Sequence, residues 1–225
     1  KVFTSMENDA ILSINLSTLL SDHRKISSVF KKRCELMTNM FVGMILTSHS
    51  NKDRVYIMNE IINIAWECVA FKNYQTASTL VYTLYNSFID RLKPVHAKMS
   101  RSMNERLDEL KNIFVNNPGM MQQQFERLSQ PKIPQLWLIC SGIELIDNYP
   151  GEFVKRESSS SSSYTIEWNY VKTYERKIRD LIKFNRQSGY GSKIQKDTEC
   201  EMFITRALDP RNVIRDEDLL EKLSH

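Results

Sequence analysis

Residues 53–71 read D-R-V-Y-I-M-N-E-I-I-N-I-A-W-E-C-V-A-F and show the clearest amphipathic pattern of the chain. Its apolar side chains recur every three or four residues, which is the spacing of one face of an α-helix. That face consists of Met58, Ile61, Ile62, Ala65, Cys68 and Val69. Asp53 follows a polar break at 48–51 and is a residue type that stabilises helix starts. The stretch therefore predicts a long helix with one face in a core.

Apolar residues at helical spacing predict further helices along most of the chain. The predicted ranges are 10–20, 29–47, 76–87, 100–115, 136–146, 165–187, 193–208 and 216–223, and residues 120–128 are a short polar segment. Pro94 and Pro118 must separate neighbouring helices, because proline cannot continue a helix. Only six glycines and six prolines occur in 225 residues, which agrees with long helices and few turns. We predict an all-α fold in one domain over residues 1–225.

Two of these helices are expected to form a protruding helical hairpin over about residues 135–187. The first helix, 136–146, is the most apolar segment of the chain and follows an extended connector at 131–134. A flexible loop is expected over 149–164, because its serine run at 158–163 has no side chains able to build a core. Such a hairpin is either part of a bundle or a lever that acts on a partner.

Composition and charge narrow the class of protein without naming a function. A hydrophobic content of 41% and a charged content of 26% are typical of a folded globular domain. No apolar run of about eighteen residues occurs, so the expected compartment is the cytoplasm. The net charge of +4 favours nucleic acid, an anionic membrane or an acidic protein equally. Because the chain begins at Lys1 rather than at a methionine, we expect a domain cut from a longer protein.

Candidate metal ligands and nucleophiles are scattered along the chain. The four cysteines lie far apart in apolar helical patterns, which predicts buried, reduced thiols; they are Cys34, Cys68, Cys140 and Cys200. The four histidines have no second ligand at helical spacing; they are His23, His49, His96 and His225. The glycines at 189 and 191 are not followed by the Lys-Ser/Thr pair of a phosphate-binding loop. We therefore expect neither a metal nor an organic cofactor.

Five cations fall on one face of the predicted helix 165–187, namely Lys172, Arg176, Arg179, Lys183 and Arg186. A solvated helix face is the simplest interpretation of this stripe. It could also meet phosphates or an acidic partner, and Trp168, Tyr170 and Tyr174 nearby would suit stacking on bases. Because no recognised nucleic-acid motif frames the stripe, we do not expect nucleic acid as the partner.

Several stretches resemble the catalytic domain of the RasGEF family, the guanine nucleotide exchange factors of Ras-type GTPases, in order and spacing. Asn39-Met40-Phe41-Val42 followed by Ile45-Leu46 is similar to the family's N-W-V-x-x-x-I-L, and Asp53-Arg54 to its E-R. Ile64-Ala65 with Cys68 is similar to I-A-x-x-C, Asn73-Tyr74-Gln75 to N-F-N, and Arg91-Leu92-Lys93 to R-L-K. Pro131-Lys132-Ile133-Pro134 before Leu136 is similar to P-x-x-P, Ile166-Glu167-Trp168 to I-N-F, and Asp216-Glu217-Asp218-Leu219 to the family's closing segment. The family's tryptophan is absent from the first piece, where Met40 or Phe41 replaces it.

The resemblance implies an all-helical domain that binds a Ras-superfamily small GTPase. Its hairpin would open switch I, displace magnesium and expel GDP without covalent chemistry, by favouring the nucleotide-free GTPase. The hairpin residues implied are Glu144, at a position that is usually apolar or small, and Asn148, at the position of the usual acid. Asp147 would replace that acid if the register shifts by one residue.

The resemblance also implies a groove in which Arg54, Asn73 and Gln75 lie beside switch II of the bound GTPase. A structural role is the alternative for each of them: an arginine that ties helices together, or an amide that caps a helix. The altered hairpin tip leaves open a second function, an adaptor that keeps the fold and has lost exchange activity. Membrane recruitment, if it occurs, is expected through segments outside this chain.

Overall fold

A computed structural model describes residues 1–14, 23–136, 154–156, 164–166, 172, 175–176, 179, 190 and 194–224. Its helices are α1 (Val2–Leu12), α2 (His23–Leu46), α3 (Asn51–Ala70), α4 (Tyr74–Leu84), α5 (Ser87–Asp90), α6 (Lys93–His96), α7 (Arg101–Lys111), α8 (Pro118–Arg127), α9 (Thr198–Ala207) and α10 (Glu217–Ser224). A π-helical turn, Asn112–Asn116, continues α7. The all-α prediction is confirmed. Within the described part of the chain, no helix is both long enough and apolar enough to cross a bilayer.

Helix α3 forms as its sequence pattern predicts. Ser50 caps its start by accepting a hydrogen bond from the backbone N–H of Asp53 at 3.2 Å. The predicted apolar face, from Met58 to Cys68, is buried against α2 and α4. Helix α7 packs against the same helix through Leu107 and Leu110. The three helices α2, α3 and α4 thus surround the main core.

Helix α4 is the most deeply buried of the described helices, although half of its side chains are polar. Ten of its eleven residues are buried, threonines and a glutamine among them. Its hydroxyls bond within the helix: Thr79 Oγ1 donates to the Gln75 carbonyl and Thr83 Oγ1 to the Thr79 carbonyl, each at 2.9 Å. Because these bonds replace those to water, the helix can be central although half of its side chains are polar. The predicted central segment, 136–146, lies outside the described residues beyond Leu136.

The first helix is Val2–Leu12, so the prediction of a helix over 10–20 is wrong at its start and at residues 13–14, and its remainder lies outside the described residues. The reason lies in its buried side, which is mainly polar and consists of Thr4, Ser5, Glu7, Asn8 and Ile11. A search for apolar periodicity does not detect such a face. Glu7 is held there by an ion pair with Arg33 of α2, at 2.8 Å from Nε to Oε1.

Two short strands occur where a loop and a helix start were expected. Strand β1 (Val154–Arg156) pairs with β2 (Tyr164–Ile166) in antiparallel register, Val154 opposite Ile166. The helix predicted from residue 165 therefore starts later, and residues 172, 175–176 and 179 are helical. Valine, tyrosine, threonine and isoleucine are strand-favouring residues, but segments of three are too short to show a period of two.

Candidate functional site

The turn between α3 and α4, residues 71–75, is the centre of the candidate site, and we call it the α3–α4 corner. Lys72 adopts a left-handed backbone conformation with φ of 57°, which lets α3 end in two closing hydrogen bonds. The N–H of Asn73 donates to the Cys68 carbonyl and that of Lys72 to the Val69 carbonyl, each at 2.8 Å. Glycine usually occupies such a position, since a side chain there costs about 1 kcal/mol.

The buried side chain of Asn73 caps the start of α4. Its Oδ1 accepts from the N–H of Thr76 at 3.0 Å and so caps α4. Its Nδ2 donates to Thr76 Oγ1 at 2.9 Å and to Thr4 Oγ1 of α1 at 3.2 Å. The side chain is fully buried. This is the capping role that the sequence left open as the alternative, and contact with a partner remains a prediction.

The extended connector before the predicted hairpin lies directly against this corner. The N–H of Ile133 donates to the Lys72 carbonyl at 2.8 Å, and the N–H of Tyr74 donates to the Ile133 carbonyl at 2.9 Å. Asn73 and Ile133 thereby form an isolated parallel bridge. Because Ile133 is fully buried, both backbone bonds are shielded from water.

Gln75 connects the corner to the first residue of the predicted hairpin. Its Oε1 accepts from the backbone N–H of Leu136 at 2.7 Å, and its Nε2 donates to Cys34 Sγ of α2 at 2.8 Å. The N–H groups at a helix start have no partner within the helix, so this bond satisfies one of them. Burial raises the pKa of the Cys34 thiol, which keeps it protonated near neutral pH. Gln75 is buried, so it joins α2, α4 and the hairpin start from within.

Two lysines form hydrogen bonds with residues 125–129, which precede the connector. Lys72 Nζ donates to the carbonyl of Ser129 at 3.0 Å and to its Oγ at 2.8 Å. The buried Lys132 donates to the carbonyls of Phe125 and Glu126 at the end of α8, at 2.8 and 2.9 Å. A cation is favoured at the carboxyl end of a helix, where unpaired carbonyls concentrate negative charge. The Lys132 ammonium also lies 4.8 Å from the centre of the Phe125 ring.

Tyr190, which follows the predicted second hairpin helix, returns to the same corner. Its hydroxyl hydrogen-bonds the carbonyl of Phe71 and also lies 3.1 Å from that of Pro131. Burial is the main cause that raises the pKa of this phenol. Leu136 and Tyr190 are therefore both attached to residues of, or next to, the α3–α4 corner. The sequence around Tyr190, considered only for its glycines at 189 and 191, carries no local signal of this contact.

Arg54 lies far from the corner. It is in the first turn of α3, and at about 1.5 Å of rise per residue the end of that helix is roughly 24 Å away. Its Nη2 donates to the Leu46 carbonyl at the end of α2 at 3.0 Å, which ties the two helices together. Its Nε is buried and makes no hydrogen bond to the described residues. The structure thus brings Asn73 and Gln75 together and leaves Arg54 apart.

The three predicted hairpin-tip residues, Glu144, Asp147 and Asn148, lie outside the described residues. So do Lys183 and Arg186 of the basic stripe. Its remaining members, Lys172, Arg176 and Arg179, are exposed on a helical backbone, and Arg179 pairs with Glu175.

Comparison with known proteins agrees with the sequence resemblance. The family model of the RasGEF domain matches residues 1–184. That match includes α1 to α8, the whole α3–α4 corner and the predicted hairpin up to its last turn. No curated protein sequence matches the chain. Because the family model covers far more than half of the 225 residues, the chain belongs to the RasGEF domain family.

Proposed function

We propose that the chain binds a Ras-superfamily small GTPase and promotes release of its GDP through the hairpin predicted at 135–187. Membership of the RasGEF domain family is the observation that carries this proposal. Release of a bound nucleotide needs no covalent step and no cofactor, because the exchange factor acts by binding the nucleotide-free GTPase more tightly. Such a partner would be met in the cytoplasm, with recruitment to a membrane through segments outside this chain.

The contacts at the α3–α4 corner support a division of roles within this proposal. A lever that displaces a nucleotide must have a fixed base, since a mobile base would dissipate the binding energy of its tip. Gln75 and Asn73 act as positioning residues, because their amides are buried and bonded to Leu136, Cys34, Thr4 and Thr76. Arg54 is the candidate contact residue, since the residue as a whole is only partly buried.

The proposed tip residues are Glu144, Asp147 and Asn148. A carboxylate at the tip would compete with the nucleotide's phosphates for hydrogen-bond donors and would repel them. Asn148 keeps the hydrogen-bonding capacity but carries no charge. Asp147, one residue earlier, would supply the missing charge.

A binding module without exchange activity is the alternative. The tip of the hairpin departs from the family pattern at Glu144 and Asn148, and the family's tryptophan is missing beside Met40. The two departures at the tip bear on the exchange step, whereas Met40 and Phe41, one of which replaces the tryptophan, pack in or against the main core.

A nucleotide-release assay separates the two functions. Loss of a fluorescent GDP analogue would be followed for a panel of Ras-superfamily GTPases, together with complex formation on a sizing column. We expect faster release from at least one GTPase. A complex without faster release would support the binding module, and the absence of any complex would overturn both functions.

Two variants test the proposed roles of Arg54 and Asn148 in the same assay. Arg54→Ala is expected to weaken GTPase binding by about tenfold, while Lys52→Ala, an exposed neighbour, serves as the matched control. Asn148→Ala is expected to slow release and leave binding nearly unchanged. Thermal unfolding is measured on each variant, because an unfolded Arg54→Ala protein would point to the structural role of its bond to Leu46.

A further inference from the structure

Helix α9 packs one face on the core and leaves the opposite face exposed. Cys200 and Ile204 attach it to the main core. The exposed residues recur at spacings of three and four, so they share one side of the helix. We call this side the α9 outer face, and it consists of Glu199, Met202, Phe203 and Arg206. Met202 is 61% exposed and Phe203 is 72% exposed, more than any other large apolar side chain in the described part of the chain.

The charged side chains at the two ends of this face have no ion-pair partner among the residues that the structure describes. Glu199 and Arg206 are seven residues apart, about 10 Å along the helix axis, which is too far for them to pair with each other. The next cation along the chain, Arg211, pairs with Asp209 at 2.6 Å between Nη2 and Oδ2. One acid and one cation are therefore left available on either side of two exposed apolar residues.

The order of the four residues on the α9 outer face is self-complementary. Two copies of α9 that lie antiparallel about a two-fold axis bring Met202 of one copy against Phe203 of the other. Glu199 then meets Arg206 at both ends of the contact, because the two charges lie three residues outside the apolar pair on opposite sides. Packed helices have axes about 8–10 Å apart, a distance that long acidic and basic side chains span. The result is an apolar centre with a charged rim, as in other protein interfaces.

We propose that the chain forms a symmetric dimer through the α9 outer face, with a second copy of itself as the occupant. Burial of two methionines and two phenylalanines supplies the attraction, and the two ion pairs fix the antiparallel register. Because α9 has only ten residues, the contact is small and the dimer is weak. The face lies beyond residue 184, where the family match ends, so this inference does not depend on the proposed exchange function.

The charge pattern favours a second copy over a different protein. A different partner requires no relation between the two ends of the face, whereas a two-fold contact requires opposite charges at equal distances from the centre. The helix dipole by itself also favours an acid in the first turn and a cation in the last turn of α9. It does not account for the exposure of Met202 and Phe203 between them. A GTPase is tested below as the competing occupant.

Sedimentation equilibrium of the whole chain tests the proposal between about 1 µM and about 1 mM, the span from moderate to very weak affinity. A reducing buffer prevents disulfide formation through the partly exposed Cys200. Glu199→Arg and Arg206→Glu each place like charges at both ends of the contact. In a mixture of these two variants the charges are again opposite, because one variant carries two cations on the face and the other carries two acids. Phe203→Ser tests the apolar centre.

Two control variants change exposed residues outside α9. Glu109→Arg on α7 matches the reversal of an acid, and Met120→Ser on α8 matches the loss of an apolar side chain that is 58% exposed. Thermal unfolding is measured on every variant, because reversed charges also oppose the dipole of α9. The unmodified chain and Phe203→Ser change no charge, so they decide the question even if a charge reversal unfolds the helix.

We expect a dimer whose dissociation constant rises more than about tenfold in each of the three α9 variants and at most about twofold in the controls. The mixture of Glu199→Arg and Arg206→Glu should regain the association of the unmodified chain. A chain that stays monomeric up to about 1 mM would overturn the proposal. A mixture that regains nothing, or a control that loses as much as Phe203→Ser, would overturn it as well. A monomer whose complex with a small GTPase is weakened by Phe203→Ser would assign the face to that partner instead.

Discussion

The side-chain oxygen of Gln75 accepts a hydrogen bond from the backbone N–H of Leu136 at 2.7 Å, across 61 residues of sequence. The same side chain donates to Cys34. One buried amide therefore joins the second helix, the fourth helix and the start of the predicted hairpin. Its length matters, because the shorter amide of the family pattern, asparagine, would not span the same pair of partners.

Gln75→Leu should lower the free energy of unfolding by about 1–3 kcal/mol, because the N–H of Leu136 loses its partner in a buried place. GDP release, if the proposed function holds, should slow as well. Cys34→Ala is the matched control, since it removes the other partner of Gln75 and leaves the bond to Leu136 in place. Chemical denaturation and the release assay measure both effects. Slower release in Cys34→Ala to the same extent would mean that the bond to Leu136 is not the cause.

Asn73→Ala should cost about 1–2 kcal/mol of stability, as expected for the loss of a helix cap. Asn73→Asp keeps an acceptor for the Thr76 N–H and should recover part of that loss. Urea denaturation of the two variants gives the comparison. Unchanged stability of Asn73→Ala together with lost GTPase binding would instead favour direct contact with the partner.

Lys72→Gly and Lys72→Ala should differ by about 1 kcal/mol, with the glycine variant the more stable. Both lose the two bonds from Nζ to Ser129. Only glycine also relieves the left-handed backbone at φ of 57°. Denaturant midpoints of the two proteins test this, and an alanine variant at least as stable as the glycine variant would contradict it.

Stability should fall above about pH 10. The pKa of Tyr190 is raised in the folded protein, mainly by burial, and burial likewise raises the pKa of Tyr85 to about 12. A group whose pKa is higher in the folded state holds its proton more tightly there. Its contribution is complete below the ordinary pKa of tyrosine and is lost as the pH rises through the folded value. Tyr190→Phe should therefore show a shallower alkaline loss, measured by denaturation between about pH 9 and pH 11, roughly one unit to either side of that ordinary value.

Local sequence patterns were sufficient to predict most helices and to identify the family. The apolar face of α3 follows from spacing alone, because a helix with one buried side must repeat every three to four residues. The stretches around Asn73, Arg91 and Pro131 carried the resemblance, and the family match agrees with it. Helix α1 and the strand pair at Val154 and Ile166 could not be predicted from local patterns. A polar buried face and three-residue strands leave no periodic signal.

The all-α class, the course of α3 and the membership of the RasGEF family could thus be inferred from local patterns. The contacts of Asn73, Gln75 and Arg54 could be read only from the packed structure. It placed Gln75 against Leu136, Tyr190 against Phe71, and Arg54 about 24 Å from the corner at the other end of α3. Hydrogen bonds between residues 61 and 119 positions apart depend on how helices pack, and packing is a property of the whole core that no local spacing encodes.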